Sequence, residues 1–324
     1  MLILREREII PLLSMRDAIL AVERAFRAQA SGNARIPVRG RAAAHAGILI
    51  DMPGSIIGDG AGLGTKLITA FEENPERNLP AHQGVVVLFD HETGTPNALL
   101  DASYLTAIRT AAVSAVATRL LAVPGARVAA IIGTGVQGRS HALAMADSMK
   151  LEDLRIFGRN AERAEECAAW ARERKIPARA VSSAAEAVRG AQVINTVTAS
   201  RTPVIDDADV APGTHINAVG SCTPITRELP GTLMGRARIF VDSREGAMIE
   251  AGDILLAIKD GALAERPEMT LFCDVLTDHA RGRRSPEEIT VFESLGLSIE
   301  DIACATLIVN RARDQGIGIE IEFP

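Results

Sequence analysis

A two-part α/β chain is predicted, a strand-rich α+β region followed by a doubly wound parallel sheet. Three observations carry this reading. Up to about residue 100, short apolar runs are separated by Gly, Pro, Asp and Asn, the pattern of strands and hairpins. Farther on, short apolar runs alternate with helical stretches, which implies a parallel sheet with helices on both faces. Within that second region a spaced glycine triplet stands between a buried-strand run and a helix.

Taken in order, MRDAILAVERAFRAQAS (15–31) spaces Ala18, Ile19, Val22 and Phe26 along one helical face, and Gly32-Asn33 ends it. ILIDMPGSI, GLGTKLITAF and QGVVVLFDHETGTPNALLD follow as strand runs, with Gly94 and Pro96 supplying the turn in the last. SYLTAIRTAAVSAVATRLL (103–121) is rich in Ala and Leu at helical spacing. After the VPGA break, RVAAIIG leads into helical VQGRSHALAMADSMK, and DLRIFGR leads into NAERAEECAAWARER. AQVINTVT then passes through a loop to strand-like THINAVG. EITVFESLGLSIEDIACATLIVNRARDQG reads as strand, Gly-bearing turn and long helix.

Composition narrows the classes of function. A chain of 324 residues that is 47% hydrophobic can bury a sizeable core, and its length suits two domains. A net charge of −6 with 3% aromatic residues offers neither the basic footprint nor the stacking platform of a nucleic-acid binder. No apolar run approaches the roughly 20 residues of a membrane-spanning helix. The N-terminal MLILREREIIPLLSMRDAI lacks the unbroken apolar segment of a secretory signal, so a cytoplasmic location is expected. Cys167, Cys222, Cys273 and Cys304 are scattered, which argues against a zinc site and a disulfide framework, and no metal is expected.

Gly133, Gly135 and Gly138 form the G-x-G-x-x-G spacing of a dinucleotide-binding, Rossmann-type unit. The first glycine permits the tight turn, the second lets backbone approach a pyrophosphate, and the third allows close helix–sheet packing. The helix that follows offers free N–H groups to the phosphates. The next strand ends in Arg159, Asn160 and Arg163, with no acid directly after its apolar run. Arginine suits a ribose 2′-phosphate, so NADP(H) is favoured and NAD(H) remains possible.

Three basic residues, Arg39 in IPVRGR, Lys66 in GTKLITAF and Arg109 in LTAIRTAA, sit beside predicted strand ends or a helix start. Together with GTGVQG, NAVG, FESLGLSIEDIACA and above all the long segment from Gly62 to Ala112, they resemble the ornithine cyclodeaminase/mu-crystallin family over nearly the whole chain. The resemblance implies a Rossmann domain at 119–299 and a strand-rich substrate and dimerisation domain at 1–118, completed by 300–324. It places Arg39, Lys66 and Arg109 around a substrate carboxylate, with Lys66 also a possible proton donor. His82 and Arg109 fall near the cofactor. Thr134, Val136, Gln137, Thr196, Thr198, Val219, Gly220 and Ser221 match cofactor-lining positions, and Ser294 and Leu295 lie near the nicotinamide. A homodimer acting on a small amino or imino acid is the implied assembly.

Cys222, in HINAVGSCTP, stands where the cyclodeaminases of the family resemble one another in having Asp. Cyclodeamination needs a base for an ammonium group, work that suits a carboxylate better than a thiol of pKa about 8.5. Reducing a preformed C=N bond asks less, and Cys222, or a water it holds, could orient the nitrogen. The expected activity is therefore reduction of small α-imino acids, chiefly cyclic ketimines, by NAD(P)H. Ornithine cyclodeamination, an ammonia-releasing amino acid dehydrogenase and a non-catalytic crystallin-like binder are the alternatives. His45, His91, His141 and His279 show no metal spacing and are read as surface or loop residues, and His215 as structural. Glu300 and Asp301 are read as helix N-terminal charges, and Trp170 as core packing.

Overall fold

The computed structural model describes residues 1–58 and 60–323. The chain divides into two compact units, Met1–Arg109 with Gly296–Pro324, and Thr110–Leu295. Both boundaries fall ahead of 118 and 299, where sequence texture and family likeness put them. Helix Ser103–Leu121 is continuous through the first boundary, so its composition changes nowhere near Arg109. At the second, Gly296 has a φ of +82°, a conformation suited to glycine at the break between a strand and the helix that follows.

In the first unit, strands β1 (Leu2–Leu4), β2 (Ala34–Arg35), β3 (Gly40–Ala43), β4 (Ile48–Ile56), β5 (Gly62–Ala70), β6 (His82–Phe89) and β7 (Pro96–Asp101) build one sheet with the C-terminal strand Ile319–Glu320. The order is C-terminal strand, β1, β7, β6, β5, β4, β2, with β3 also on β4. Among the described residues, only β1 and β7 pair in parallel in this sheet. Period-2 alternation buries Met52, Gly54 and Ile56 of β4, Gly62, Gly64 and Lys66 of β5, and Val86 and Leu88 of β6. Helix α1 (Met15–Ala30) and the C-terminal helix Ser298–Gln315 pack in the same unit, tied together by Arg311 on Asp17 at 2.7 Å. A Cβ at Gly62 would lie 2.6 Å from Ile302 Cγ2, so the C-terminal helix rests on the bare backbone of β5. Ser14 caps α1 by accepting the Asp17 N–H. On the opposite face Leu63, Leu67, Val85, Val87, Phe89 and Leu99 stay half-buried.

The second unit begins within α2 (Ser103–Leu121) and contains an eight-stranded sheet. Its strands are β8 (Val128–Ile132), β9 (Asp153–Phe157), β10 (Ala178–Ala180), β11 (Val193–Thr196), β12 (His215–Ala218), β13 (Arg238–Val241), β14 (Met269–Leu271) and β15 (Thr290–Glu293). The order β10-β9-β8-β11-β12-β15-β13-β14 reverses direction between β8 and β11. All the pairings are parallel. That reversal is the topological switch point at which doubly wound sheets bind ligands, outside the carboxyl ends of the strands. Helices α3 (Val136–Ser148) and α4 (Ala161–Glu173) follow β8 and β9.

Two side chains differ from their sequence reading. His141 is buried, with Nε2 2.9 Å from Ser114 Oγ and Nδ1 2.8 Å from Gln137 O. The surface reading rests only on the lack of metal spacing, which says nothing about burial, and the alanines around His141 let the helix pack closely there. Trp170 is only half-buried and lies under the Arg174 guanidinium at 3.9 Å, a cation–π contact rather than core packing. His215 is buried between Thr290 Oγ1 at 2.9 Å and Asn217 Oδ1 at 3.1 Å.

Candidate active site

The first unit buries a four-membered charge cluster. Lys66 lies in the middle of β5, not at a strand end, paired across to Met52 and Val86 on the helix-covered face. Its Nζ is 2.9 Å and 3.0 Å from the two carboxylate oxygens of Asp301. Arg109 donates from Nε to Asp301 Oδ1 at 2.9 Å and from Nη1 to Glu300 Oε2 at 2.6 Å. Glu300 Oε1 also accepts the Leu297 N–H at 2.8 Å. Two cations and two anions therefore meet with Lys66 2% exposed and Arg109 5% exposed. Unpaired, any one of them would be strongly unfavourable at such depth.

The cluster shapes the proton affinities inside it. Burial pushes the Lys66 ammonium down, the Arg109 charge adds to this, and Asp301 with Glu300 pulls the other way, leaving a pKa of about 8. Arg109 meets the same burial, but Asp301 and Glu300 outweigh it and raise its pKa. Lys66 can thus exchange a proton near neutral pH while Arg109 keeps its charge. Gly296 lies against this cluster, because a Cβ there would overlap Arg109 Nη1. Arg39, half-buried, donates from Nη2 to the Gly296 carbonyl at 2.9 Å. Structure thus brings Arg39, Lys66 and Arg109 to one region of this unit. His82 is placed at the start of β6, opposite Ala70, and exposed.

Glu300 and Asp301 are the residues that sequence reading undervalued. They do occupy the first turn of the C-terminal helix, as the helix-dipole reading requires. Yet both are fully buried, and their partners lie 191 to 235 residues away in the chain. The available signal was two adjacent acids inside an otherwise apolar helix start.

In the second unit the predicted cofactor residues gather at the carboxyl ends of five consecutive neighbours in the sheet. These ends carry Arg159 after β9, Gly133 after β8, Thr196 and Thr198 at β11, Val219 to Ser221 after β12, and Ser294 after β15. Gly133, with a φ of +129°, leaves no room for a side chain, since a Cβ would sit 2.7 Å from Val197 O. A Cβ at Gly138 would overlap Gly133 O, so α3 starts hard against the turn. Gly135 is the N-cap and makes no side-chain cap, and a Cβ there would meet nothing within 4 Å. An uncapped helix start facing open space fits a dinucleotide pyrophosphate. Val136 and Gln137 form the first turn of that helix, and Thr134 packs against Gly158.

Arg159 and Arg163 are exposed, and Asn160 caps α4 by accepting the Arg163 N–H at 2.9 Å. Ser294 Oγ is buried with no hydrogen-bond partner among the described residues. Leu295 N–H is held by Asp242 at 2.8 Å. Cys222 is half-buried, its thiol donating to Val219 O at 3.3 Å. Glu228, which sequence reading passed over, accepts the Thr198 N–H at 2.5 Å, the Thr198 hydroxyl at 2.7 Å and the Gly220 N–H at 2.7 Å.

A parallel sheet with a reversed strand order and a glycine-rich turn at its switch point defines a dinucleotide-binding α/β protein of Rossmann type. The sequence model of the ornithine cyclodeaminase/mu-crystallin family matches residues 1–316, and the chain belongs to that family. It is 41% identical over 266 residues to the ketimine reductase mu-crystallin of Mus musculus, spanning 82% of this chain and 81% of the mouse protein. The structure of Thermococcus litoralis Delta(1)-pyrroline-2-carboxylate reductase in complex with NADH and L-proline superposes with a TM-score of 0.94. The two are 33% identical, over 99% of this chain and all of that one. An archaeal alanine dehydrogenase dimer with bound NAD also gives a TM-score of 0.94, at 34% identity over all of this chain and 99% of that one. Among the described residues, no helix is long and apolar enough to cross a membrane.

Proposed function

We propose that the chain is an NADPH-preferring reductase of small α-imino acids, acting on cyclic ketimines such as pyrroline-2-carboxylate or piperideine-2-carboxylate to form the cyclic L-amino acid. The observation that carries this reading is the buried Lys66, poised near pKa 8 beside the permanently charged Arg109. Arg109 and Arg39 are assigned the substrate carboxylate, as fixed positive charges beside it. The Lys66 ammonium protonates the imine nitrogen, which makes the neighbouring carbon electrophilic. Bound NADPH supplies the hydride to that carbon. Cys222 orients the nitrogen, directly or through a water. A thiol already donating to a backbone carbonyl suits that duty better than accepting protons from an ammonium group, and the cyclodeaminase reading loses ground for the same reason.

The 110–295 unit is assigned the dinucleotide, held by the Gly133–Gly138 turn, Thr134, Val136, Gln137, Thr196, Thr198 and Val219 to Ser221. Ser294 and Leu295 are assigned to the nicotinamide end. His82 and Arg109 are assigned to the cofactor as the family resemblance implies. Exposed Arg159, with Asn160 and Arg163 beside it, is assigned the 2′-phosphate. Substrate binding and dimerisation are assigned to the first unit, whose half-buried face of Leu63, Val85, Val87 and Leu99 suits a second copy. The cytoplasm is the expected compartment.

The test follows absorbance at the reduced-nicotinamide band with NADPH and NADH in parallel, offering each cyclic ketimine. Oxidation of NADPH in preference to NADH, with the preference lost in Arg159→Ala, supports both parts of the proposal. No oxidation with either coenzyme, together with ammonia release from ornithine, would replace it by cyclodeamination.

A further inference from the structure

The loops after β11 and β12 are joined by a single buried side chain that no part of the reaction above uses. Glu228 is fully buried, and its two oxygens take three donors: the Thr198 N–H and hydroxyl on Oε1, and the Gly220 N–H on Oε2. The fit is close. A Cβ at Gly220 would overlap Thr198 O and lie 2.7 Å from the Glu228 carboxyl carbon, so the two loops meet with room only for glycine. Behind the carboxylate, Asp253 Oδ1 accepts the Glu228 and Leu229 N–H groups at 2.8 Å and 2.7 Å. Asp253 N–H in turn donates to Ser221 Oγ at 3.1 Å, and that hydroxyl donates to Thr226 O at 2.8 Å. The segment from Gly220 to Leu229 is thereby a closed, hydrogen-bonded loop with Glu228 as its link to Thr198.

We propose that Glu228 is a positioning residue for the nicotinamide half of the dinucleotide, setting the spacing between the Thr198 and Gly220–Ser221 backbones that would line it. This inference rests on the assignment of the 110–295 unit to the dinucleotide. A carboxylate is the side chain the geometry calls for, because its two oxygens accept from three converging donors without presenting one of its own. Glutamine in the same place turns an NH2 toward a donor that then has no acceptor. Burial pushes the Glu228 pKa up, and the Thr198 and Gly220 donors resist that shift. The glycine turn after β8 makes none of these contacts, so the phosphate end of the site does not depend on them.

The experiment titrates wild-type and Glu228→Gln protein with NADPH, NADH and ADP-ribose 2′-phosphate, which carries the phosphates without the nicotinamide. The expected result is dinucleotide affinity weakened about tenfold to a hundredfold, the scale of losing a hydrogen bond to a charged group. Affinity for the fragment stays within about twofold of wild type. Unchanged dinucleotide binding, or equal weakening of dinucleotide and fragment, overturns the proposal, the second outcome marking a role in folding alone. Wild-type protein that binds neither NADPH, NADH nor the fragment overturns the dinucleotide assignment itself, and the proposal with it. Should Glu228→Gln fail to fold, Thr198→Val keeps the backbone donor and removes the hydroxyl. It is expected to show the same selective loss at a few-fold, and unchanged dinucleotide affinity there overturns the proposal.

Discussion

In the 1–109/296–324 unit, the buried acids Glu300 and Asp301 sit on Arg109 and Lys66. In the 110–295 unit, Glu228 and Asp253 sit on backbone N–H groups instead. No ion pair joins Glu228, Asp253 or Glu293 to a lysine or arginine among the described residues. Arg227, whose charge acts on Asp253, is itself paired with Asp260. The consequence is visible in the proton affinities. Burial pushes Asp253 up to about 7, and the Glu228 charge adds to this against the Leu229 N–H. Glu293, buried near Asp253, Glu228 and Asp242, is pushed well above the usual carboxylate range. Paired charges keep one group, Lys66, in reach of chemistry. Acids without such partners serve instead to hold main chain in place, and burial shifts them toward their neutral forms.

The sharpest way to break this contrast is Lys66→Met, which removes the titrating member of the paired cluster. Turnover of the cyclic ketimine is expected to fall by about 10²–10⁴-fold, the usual contribution of a general acid, while NADPH binding persists. Steady-state rates and a fluorescence titration on the same preparation check it, and retained turnover would remove Lys66 from the mechanism.

Asp301→Asn comes next. It leaves Lys66 and Arg109 sharing Glu300 as their one nearby acid, and breaking a buried pair this way costs about 3–5 kcal/mol. Chemical denaturation should show that loss, and what activity remains should decline at a lower pH than in wild type, because the cation-stabilising charge is gone. A stability change below about 1 kcal/mol, the scale of an exposed pair, would mean the cluster is solvated rather than buried.

The two units should also answer pH in opposite senses. Lys66 has a folded pKa of about 8, below its unfolded value of about 10.4. The unfolded chain therefore binds more protons between those values, and Lys66 contributes stability that is lost as pH falls toward 8. Asp253 is raised to about 7, above its unfolded value of about 3.9, so its contribution is present at low pH and lost as pH rises toward 7. Hydrogen exchange from about pH 4 to about pH 10.4, read separately for β5 and for the Gly220–Leu229 loop, would reveal the opposition. Parallel trends would refute it. Oxidation of NADPH should itself fall as pH rises through about 8, the ammonium form of Lys66 being the acid.

The smallest effect is assigned to Cys222→Ser. A hydroxyl can still donate to Val219 O and orient a nitrogen, so turnover should stay within about tenfold of wild type. A larger loss would make the thiol part of the chemistry.

Much of the dinucleotide unit was legible in the sequence because its signals are contiguous. The strand, the Gly133-x-Gly135-x-x-Gly138 turn and the following helix occupy neighbouring residues, and steric limits on backbone leave glycine few substitutes there. β5 and β6 followed from apolar runs bounded by Gly, Pro, Asp and Asn, and α1 from helical spacing, signals that are equally local. The family was legible too, through the long segment around Lys66 and Arg109.

The identities of Lys66, Arg109 and Cys222 come from the sequence, but the burial of Lys66 does not, since it shares its face with Gly62 and Gly64 while Leu63 and Leu67 lie on the other. Tertiary structure alone decided which acids meet which bases. Glu300 has a complete local explanation at a helix start, yet the same carboxylate spans 191 residues to Arg109. Glu228 has no local signal, and its role arises only when two strand ends, Thr196 and Ala218, lie side by side in the sheet. Backbone preferences and side-chain periods act over a few residues and can be read from the chain. Charge pairing acts through space, and its strength depends on burial that exists only after the sheet and helices have closed over it.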